Sequence, residues 1–285
     1  MDQTERVRRM TAETGSFRMD CFRFGQGDRS LVILPGLSVQ SVMGQAEAVA
    51  EAYRPLTGDF TVYVFDRRRD LPDSYTVDGM AEDTAKAVRT FGLERVSLFG
   101  VSQGGMIAMK IAAAHPELVD ALVLGSTTAR VTGAEYRVIE NWIRLAREKD
   151  AAALYRAFAE AVYPKSVADA SRELLERAAE TVTEEELGRF VVLAEAAGGF
   201  DGREDLQRIT CPVLIIGDKD DRVLGPGAAE SIRDCLGERP DAELYLYDGF
   251  GHAAYDTAPD YKERVLRFLL RYGGSGEKGE TPWIR

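Results

Sequence analysis

Four short stretches of this chain, LVIL (31–34), VYVF (62–65), ALVL (121–124) and VLII (213–216), are apolar at every position. A strand with one face in water alternates apolar and polar residues. An unbroken apolar run of this length means that both faces are covered, which is the pattern of a parallel sheet sandwiched between helices. Strands are expected at Phe17–Phe24, Leu31–Leu34, Thr61–Phe65, Val96–Phe99, Ala121–Leu124, Val213–Ile216 and Leu244–Tyr247. Helical stretches separate them at Gln45–Tyr53, Val77–Phe91, Gly104–His115, Ala228–Leu236 and Tyr261–Tyr272. Alternation at this spacing predicts an α/β fold with a mostly parallel central sheet flanked by helices.

The rhythm breaks after the fifth strand. Residues 127–207 hold helical stretches near Glu135–Glu148, Asp150–Val162, Asp169–Glu180 and Glu184–Ala197, and no strand pattern. Thr183 and Glu186 have the spacing of a capping box that opens the last of these. We expect a core of residues 1–126 and 208–273, a helical cap over 127–207 and a C-terminal tail at 274–285, where Trp283 docks or trails. An insertion at this point stands over the carboxyl ends of the strands. Its Tyr136, Ile139, Trp142, Ile143 and Ala146 form one apolar stripe, so Trp142 and Ile143 either pack the cap or roof a pocket.

Composition narrows the function. The 285 residues carry a formal net charge of −11, which repels a nucleic-acid backbone. The densest basic run, Arg67, Arg68 and Arg69, is flanked by Asp66 and Asp70 and reads as internally paired or solvated. Three cysteines, Cys21, Cys211 and Cys235, are widely spaced and form no metal-type pair, and there are only two histidines. We expect no metal, no cofactor and no membrane span. No signal-peptide pattern opens the chain, so a cytoplasmic location is expected.

The chemistry converges on VSLFGVSQGG at 96–105. Ser102 lies between an apolar strand and a helix, with Gly100 and Gly104 allowing two backbone segments to approach. A sharp strand–turn–helix of this GxSxG type lifts a serine oxygen above the sheet and aims a helix N-terminus at developing negative charge. Serine needs a base and an acid to act as a nucleophile at neutral pH. His115 closes the helix that starts at Ser102 and is a dozen residues' rise away, which leaves His252, in DGFGHAAYD, as the base. The segment VLIIGDKDDRV offers Asp218, Asp220 and Asp221 as acids, and position alone barely separates them.

These motifs resemble the α/β-hydrolase superfamily, in particular its capped esterase and lactonase-like branch, from LVILPGLSVQS to the final helix. The resemblance implies Ser102 as nucleophile, His252 in the GH pair after the last strand and Asp220 as the acid, three residues beyond Gly217. It also implies an oxyanion hole from the backbone N–H groups of Leu37 and Gln103, with Ser38 beside it. Pro35 stands where relatives carry histidine, and DRRRDLPDS replaces a glycine-rich DxRGxGxS loop. The implied activity is hydrolysis of a small or medium carboxylic ester through an acyl-enzyme. Lactones and thioesters follow closely, and peptidase or carbon–carbon bond hydrolysis occurs in the family. A non-catalytic small-molecule receptor that retains the same residues is the competing class. The expected partner is an ester-like small molecule. Ser38, Trp142 and Ile143 are candidate pocket residues.

Overall fold

A computed structural model describes residues 7–273; the expected tail with Trp283 lies outside them. In chain order the elements are β1 (Arg8–Glu13), β2 (Arg18–Phe24), β3 (Arg29–Leu34), α1 (Ala46–Ala52), β4 (Phe60–Arg68), α2 (Val77–Arg89), β5 (Val96–Val101), α3 (Gln103–Ala114) and β6 (Val119–Gly125). Then come α4 (Gly133–Arg147), α5 (Ala151–Val162), α6 (Lys165–Ala170), α7 (Arg172–Glu180), α8 (Glu184–Glu195) and α9 (Arg203–Arg208). The last are β7 (Val213–Asp218), α10 (Ala228–Leu236), β8 (Ala242–Tyr247), α11 (Ala254–Thr257) and α12 (Tyr261–Tyr272).

The strands form one sheet in the order β1-β2-β4-β3-β5-β6-β7-β8. β1, β2 and β4 pair antiparallel, and the ladder from β4 to β8 is parallel throughout. The unbroken apolar runs have the predicted cause. In β3, Val32 and Leu34 join a core shared with α2, α3 and α10, while Leu31 and Ile33 join a second core shared with α1, α11 and α12. Strands β2 to β8 each feed both cores.

One expected element needs correction, and two further elements show no pattern in the sequence. β1, RRMTAE, shows no strand pattern in the sequence: Arg8, Arg9 and Glu13 are charged and exposed, and at the sheet edge Met10 and Ala12 suffice to face the core. The helix expected at Asp169–Glu180 is two helices, α6 beginning after Pro164 and α7 after Ser171. Proline suits a helix start, so the first helix begins earlier than the apolar spacing suggests. α9 lies in a stretch too short and polar to show a period.

The helices α4 to α8 lie between β6 and β7 and match a cap. Thr183 and Glu186 form the predicted capping box at α8, each satisfying a backbone N–H of the other. The cap is bonded to the core on two sides. On one side Arg189 of α8 donates to the carbonyls of Arg67 at 3.1 Å and Arg68 at 2.7 Å. On the other, Ala253 N–H donates to Val162 at 3.0 Å and Arg222 to the Tyr163 carbonyl at 2.6 Å.

Close backbone packing holds the sheet ends together. A Cβ on Gly104 would collide with the Leu34 carbonyl, and one on Gly100 with the Gly104 carbonyl. Gly188, on the exposed face of α8, has open space around it. Gly104→Ala is expected to lower the free energy of unfolding by about 1–3 kcal/mol. Gly188→Ala is expected to raise it by up to about 1 kcal/mol through helix propensity. Urea midpoints at constant slope measure both.

Candidate active site

β5 runs straight into α3 through one residue. Ser102 occupies that corner with φ of 53°, in the left-handed region that side chains other than glycine seldom adopt. The corner is held from three directions. Ser102 N–H donates to the Gly125 carbonyl at 2.9 Å, and the Ser102 carbonyl accepts from Gly105 N–H at 2.9 Å and from Thr127 Oγ1 at 2.8 Å. Neighbouring strand β6 thus grips the turn, and α3 starts immediately beyond it.

His252 comes from the loop after β8. Its Nε2 lies 3.0 Å from Ser102 Oγ and its Nδ1 2.8 Å from Asp221 Oδ2. Both His252 and Asp221 are almost fully buried, at 3% and 4% exposure, whereas Ser102 is half-buried and reachable. Burial pushes the Asp221 carboxyl upward in pKa. His252 and the N–H groups of Leu224 and Val223 together outweigh that and hold it below its ordinary value. A carboxylate that stays ionised beside Nδ1 favours the tautomer whose Nε2 accepts a proton.

The expected acid, Asp220, does not face the imidazole. Its exposed side chain accepts from Gly249 N–H at 2.9 Å. Asp218, at the end of β7, accepts from Asp220 N–H at 2.7 Å and from Phe250 N–H at 2.9 Å. The chain must complete a turn, closed by Asp221 N–H donating to the Asp218 carbonyl, before a carboxylate points back over the sheet. The three aspartates divide the work: Asp218 and Asp220 tie down the backbone of the histidine loop, and Asp221 meets the ring.

The loop after β3 lies against the serine. A Cβ placed on Gly36 would be 3.2 Å from Ser102 Cβ and 3.7 Å from its Oγ. Leu37 N–H follows that contact by one residue, and Gln103 N–H opens α3. Among the described residues neither amide donates to another group. Ser38, a candidate pocket residue, is exposed and donates to the Gln40 carbonyl at 2.7 Å. Trp142 is buried against Phe158, their ring centroids 4.5 Å apart, and Ile143 is buried in the same apolar core. A cavity of about 450 Å³ opens elsewhere, lined by Tyr75, Asp78, Lys110, Val192, Phe200 and Asp201 among others, and none of the residues singled out from the sequence lines it.

The arginine run resolves into three fates. Arg68 pairs with Asp83 at 3.1 Å and Arg69 with Asp20 at 2.7 Å. Arg67, flanked in sequence by Asp66, forms no ion pair with it or with Asp70; it turns inward, is 5% exposed, and donates to the Pro35 carbonyl at 2.8 Å. His115 sits at the end of α3 beside Glu82, as expected of a helix-end residue. The signal that sequence reading missed is the side chain of Gln103, whose Nε2 donates to the Leu193 carbonyl of α8 at 2.6 Å.

A family model of the alpha/beta hydrolase fold matches residues 29–259. The chain belongs to that family. It is 31% identical over 216 residues to "Putative carbamate hydrolase RutD" of Cronobacter sakazakii, covering 72% of this chain and 78% of that protein. It is 30% identical over 206 residues to 2-hydroxy-6-oxononadienedioate/2-hydroxy-6-oxononatrienedioate hydrolase of a Pseudomonas species, covering 68% of this chain and 70% of that protein. Among solved structures, an alpha/beta hydrolase from a Medee basin deep-sea metagenome library superposes with a TM-score of 0.79 at 21% identity, over 92% of this chain and 97% of that one. Among the described residues no helix is long and apolar enough to cross a membrane.

Asp221→Asn is expected to lower turnover about 10⁴-fold by inverting the hydrogen-bond polarity at Nδ1, while Asp220→Asn retains most of it. Steady-state kinetics on one ester separates the two. A lowered folded-state pKa means that Asp221 adds stability above its unfolded value and loses it as pH falls through the folded one. The wild-type advantage in urea midpoint over Asp221→Asn is therefore expected to shrink between about pH 6 and below about pH 4. A constant difference would contradict this.

Proposed function

We propose that this protein is a serine hydrolase that cleaves a small or medium carboxylic ester through an acyl-enzyme. The single observation that carries the reading is the continuous series Ser102 Oγ, His252 Nε2 and Nδ1, and Asp221 Oδ2, with steps of 3.0 and 2.8 Å, at a strained turn. A receptor has no use for holding a serine in a left-handed conformation against an imidazole; a nucleophile does.

In the proposed reaction His252 Nε2 takes the Ser102 proton as Oγ bonds to the ester carbonyl carbon. The carbonyl π electrons move to its oxygen, which the N–H groups of Leu37 and Gln103 and the N-terminus of α3 stabilise. The imidazolium gives that proton to the departing alkoxide as the C–O bond breaks. Water then repeats the addition on the acyl-enzyme, again losing its proton to His252, and Ser102 leaves with that proton restored. Asp221 remains a carboxylate throughout, fixing ring orientation and offsetting the charge on the ring. Residues 127–207 serve as the cap that walls the acyl or alcohol portion. Because the cap is bonded to both the histidine loop and the Arg67–Arg69 backbone, it acts as a fixed wall.

The leaving group alone separates ester, lactone and thioester chemistry, and the same machinery accepts each. The relatives named for a carbamate and for a 2-hydroxy-6-oxo dienedioate add two further arms. A fluorophosphonate probe is expected to label Ser102, with labelling abolished in Ser102→Ala and reduced at least about 10³-fold in His252→Ala. Peptide mass mapping reads the site. A panel of short p-nitrophenyl esters, lactones, acyl thioesters, aryl carbamates and 2-hydroxy-6-oxononadienedioate then ranks substrates, with the short esters expected to give the highest kcat/KM. An unlabelled Ser102 in folded protein would overturn the reading.

A further inference from the structure

The oxyanion donors proposed above belong to two chain segments with no covalent connection nearby, the loop after β3 and the first residue of α3. One side chain touches both. Arg67 Nη2 donates to the Pro35 carbonyl at 2.8 Å, two residues before Leu37, and reaches Gln103 Oε1 at 3.4 Å. The same Gln103 side chain is fixed at its other end by its donation to Leu193 of the cap. We propose that Arg67 is a positioning residue for the oxyanion hole, its guanidinium setting the spacing of the Leu37 and Gln103 amides and placing a fixed positive charge behind them. This rests on the serine-hydrolase reading and extends it to a residue outside the Ser–His–Asp series.

The surroundings of Arg67 are unusual for a structural arginine. A buried guanidinium is normally neutralised by a carboxylate in contact with it. Among the described residues Arg67 forms no ion pair, and its Nε has no hydrogen-bond partner. The groups acting on it through space are Asp66 of its own strand, Tyr75 from the loop before α2, and Arg189 of α8, which opposes them. Asp66 is itself engaged by Arg189 at 3.7 Å and by Ser41 Oγ. The positive charge is therefore left largely unspent in a low-dielectric region, where its field on an oxygen that becomes negative only in the transition state is strong. A carboxylate in contact with Arg67 would have cancelled that field. Pro35 lacks an N–H and has no polar side chain, so its carbonyl is the acceptor that this residue offers to the guanidinium.

The test compares Arg67→Met and Arg67→Lys with wild type on one p-nitrophenyl ester, alongside fluorophosphonate labelling and thermal melting. Arg67→Met is expected to lower kcat about ten- to a hundredfold, short of the full loss of an oxyanion donor, with KM within a few-fold. Arg67→Lys is expected to recover most of that kcat at neutral pH. Its kcat should then fall as pH rises, because a buried lysine loses its proton below the ordinary value of about 10.4. Wild-type kcat in Arg67→Met would overturn the proposal. So would equal loss in both variants accompanied by equal loss of melting temperature, which marks a brace for the fold alone. If Arg67→Met does not fold, the alkaline profile of Arg67→Lys decides: a fall supports the proposal and a profile parallel to wild type overturns it. Wild-type protein that fails to label at Ser102 would instead bring down the hydrolase reading, and this inference with it.

Discussion

The left-handed turn at Ser102 is the constraint on which the rest of the site depends. A non-glycine residue at φ of 53° is costly, by about 1–3 kcal/mol in general. Here the surrounding backbone enforces it. Gly100 and Gly104 allow the strand, the helix and the end of β3 to pack without side chains between them. The Gly125 carbonyl, at the end of β6, and the Thr127 hydroxyl, two residues beyond it, then fix both peptide groups of the corner. Relaxing the turn would separate the serine oxygen from the imidazole and rotate the first amides of α3 away from the position they share with the loop after β3.

Around that corner the charged groups are arranged by distance from water. Asp221 and His252 are buried and in contact, while Asp218 and Asp220 hold the loop that carries the histidine. The Arg67 guanidinium is buried and, among the described residues, bonds only neutral acceptors, on the loop and helix start that flank the serine. The negative member of the series and the unpaired positive group thus approach the serine through different chain segments: Asp221 through the imidazole, Arg67 through Pro35 and Gln103. That polarity suits a reaction in which positive charge develops on the ring and negative charge on an oxygen at the helix start. The cap completes the arrangement because its anchors are the same segments: Leu193 holds Gln103, and Val162 holds the residue after His252.

Much of this was legible in the residues. Short apolar runs such as LVIL, bounded by turn residues and spaced by helical stretches, read as strands covered on both faces, which specified the parallel part of the sheet. GVSQGG specified the turn because its glycines answer a steric demand at the backbone, which sequence displays directly. What was hidden depended on side-chain direction across a turn. Asp220 and Asp221 are adjacent and chemically equal, and only the path of the chain beyond Asp218 decides which one turns inward. Arg67 was hidden for a related reason. Beside Asp66 in sequence it looks paired, yet at the irregular end of β4 the Asp66 carboxylate accepts from the Arg67 backbone N–H and from Ser41, while the guanidinium turns inward to Pro35 and Gln103. β1 escaped because an edge strand needs no apolar face.

The most direct test of the account is a crystal structure of the protein after reaction with a small alkyl fluorophosphonate, whose tetrahedral phosphorus mimics the charge and shape of the proposed intermediate. Phosphorus is expected bonded to Ser102 Oγ, with one phosphonyl oxygen accepting from both the Leu37 and Gln103 amides and His252 still in contact with Asp221. An adduct whose phosphonyl oxygen faces solvent, with both amides unused, would contradict it.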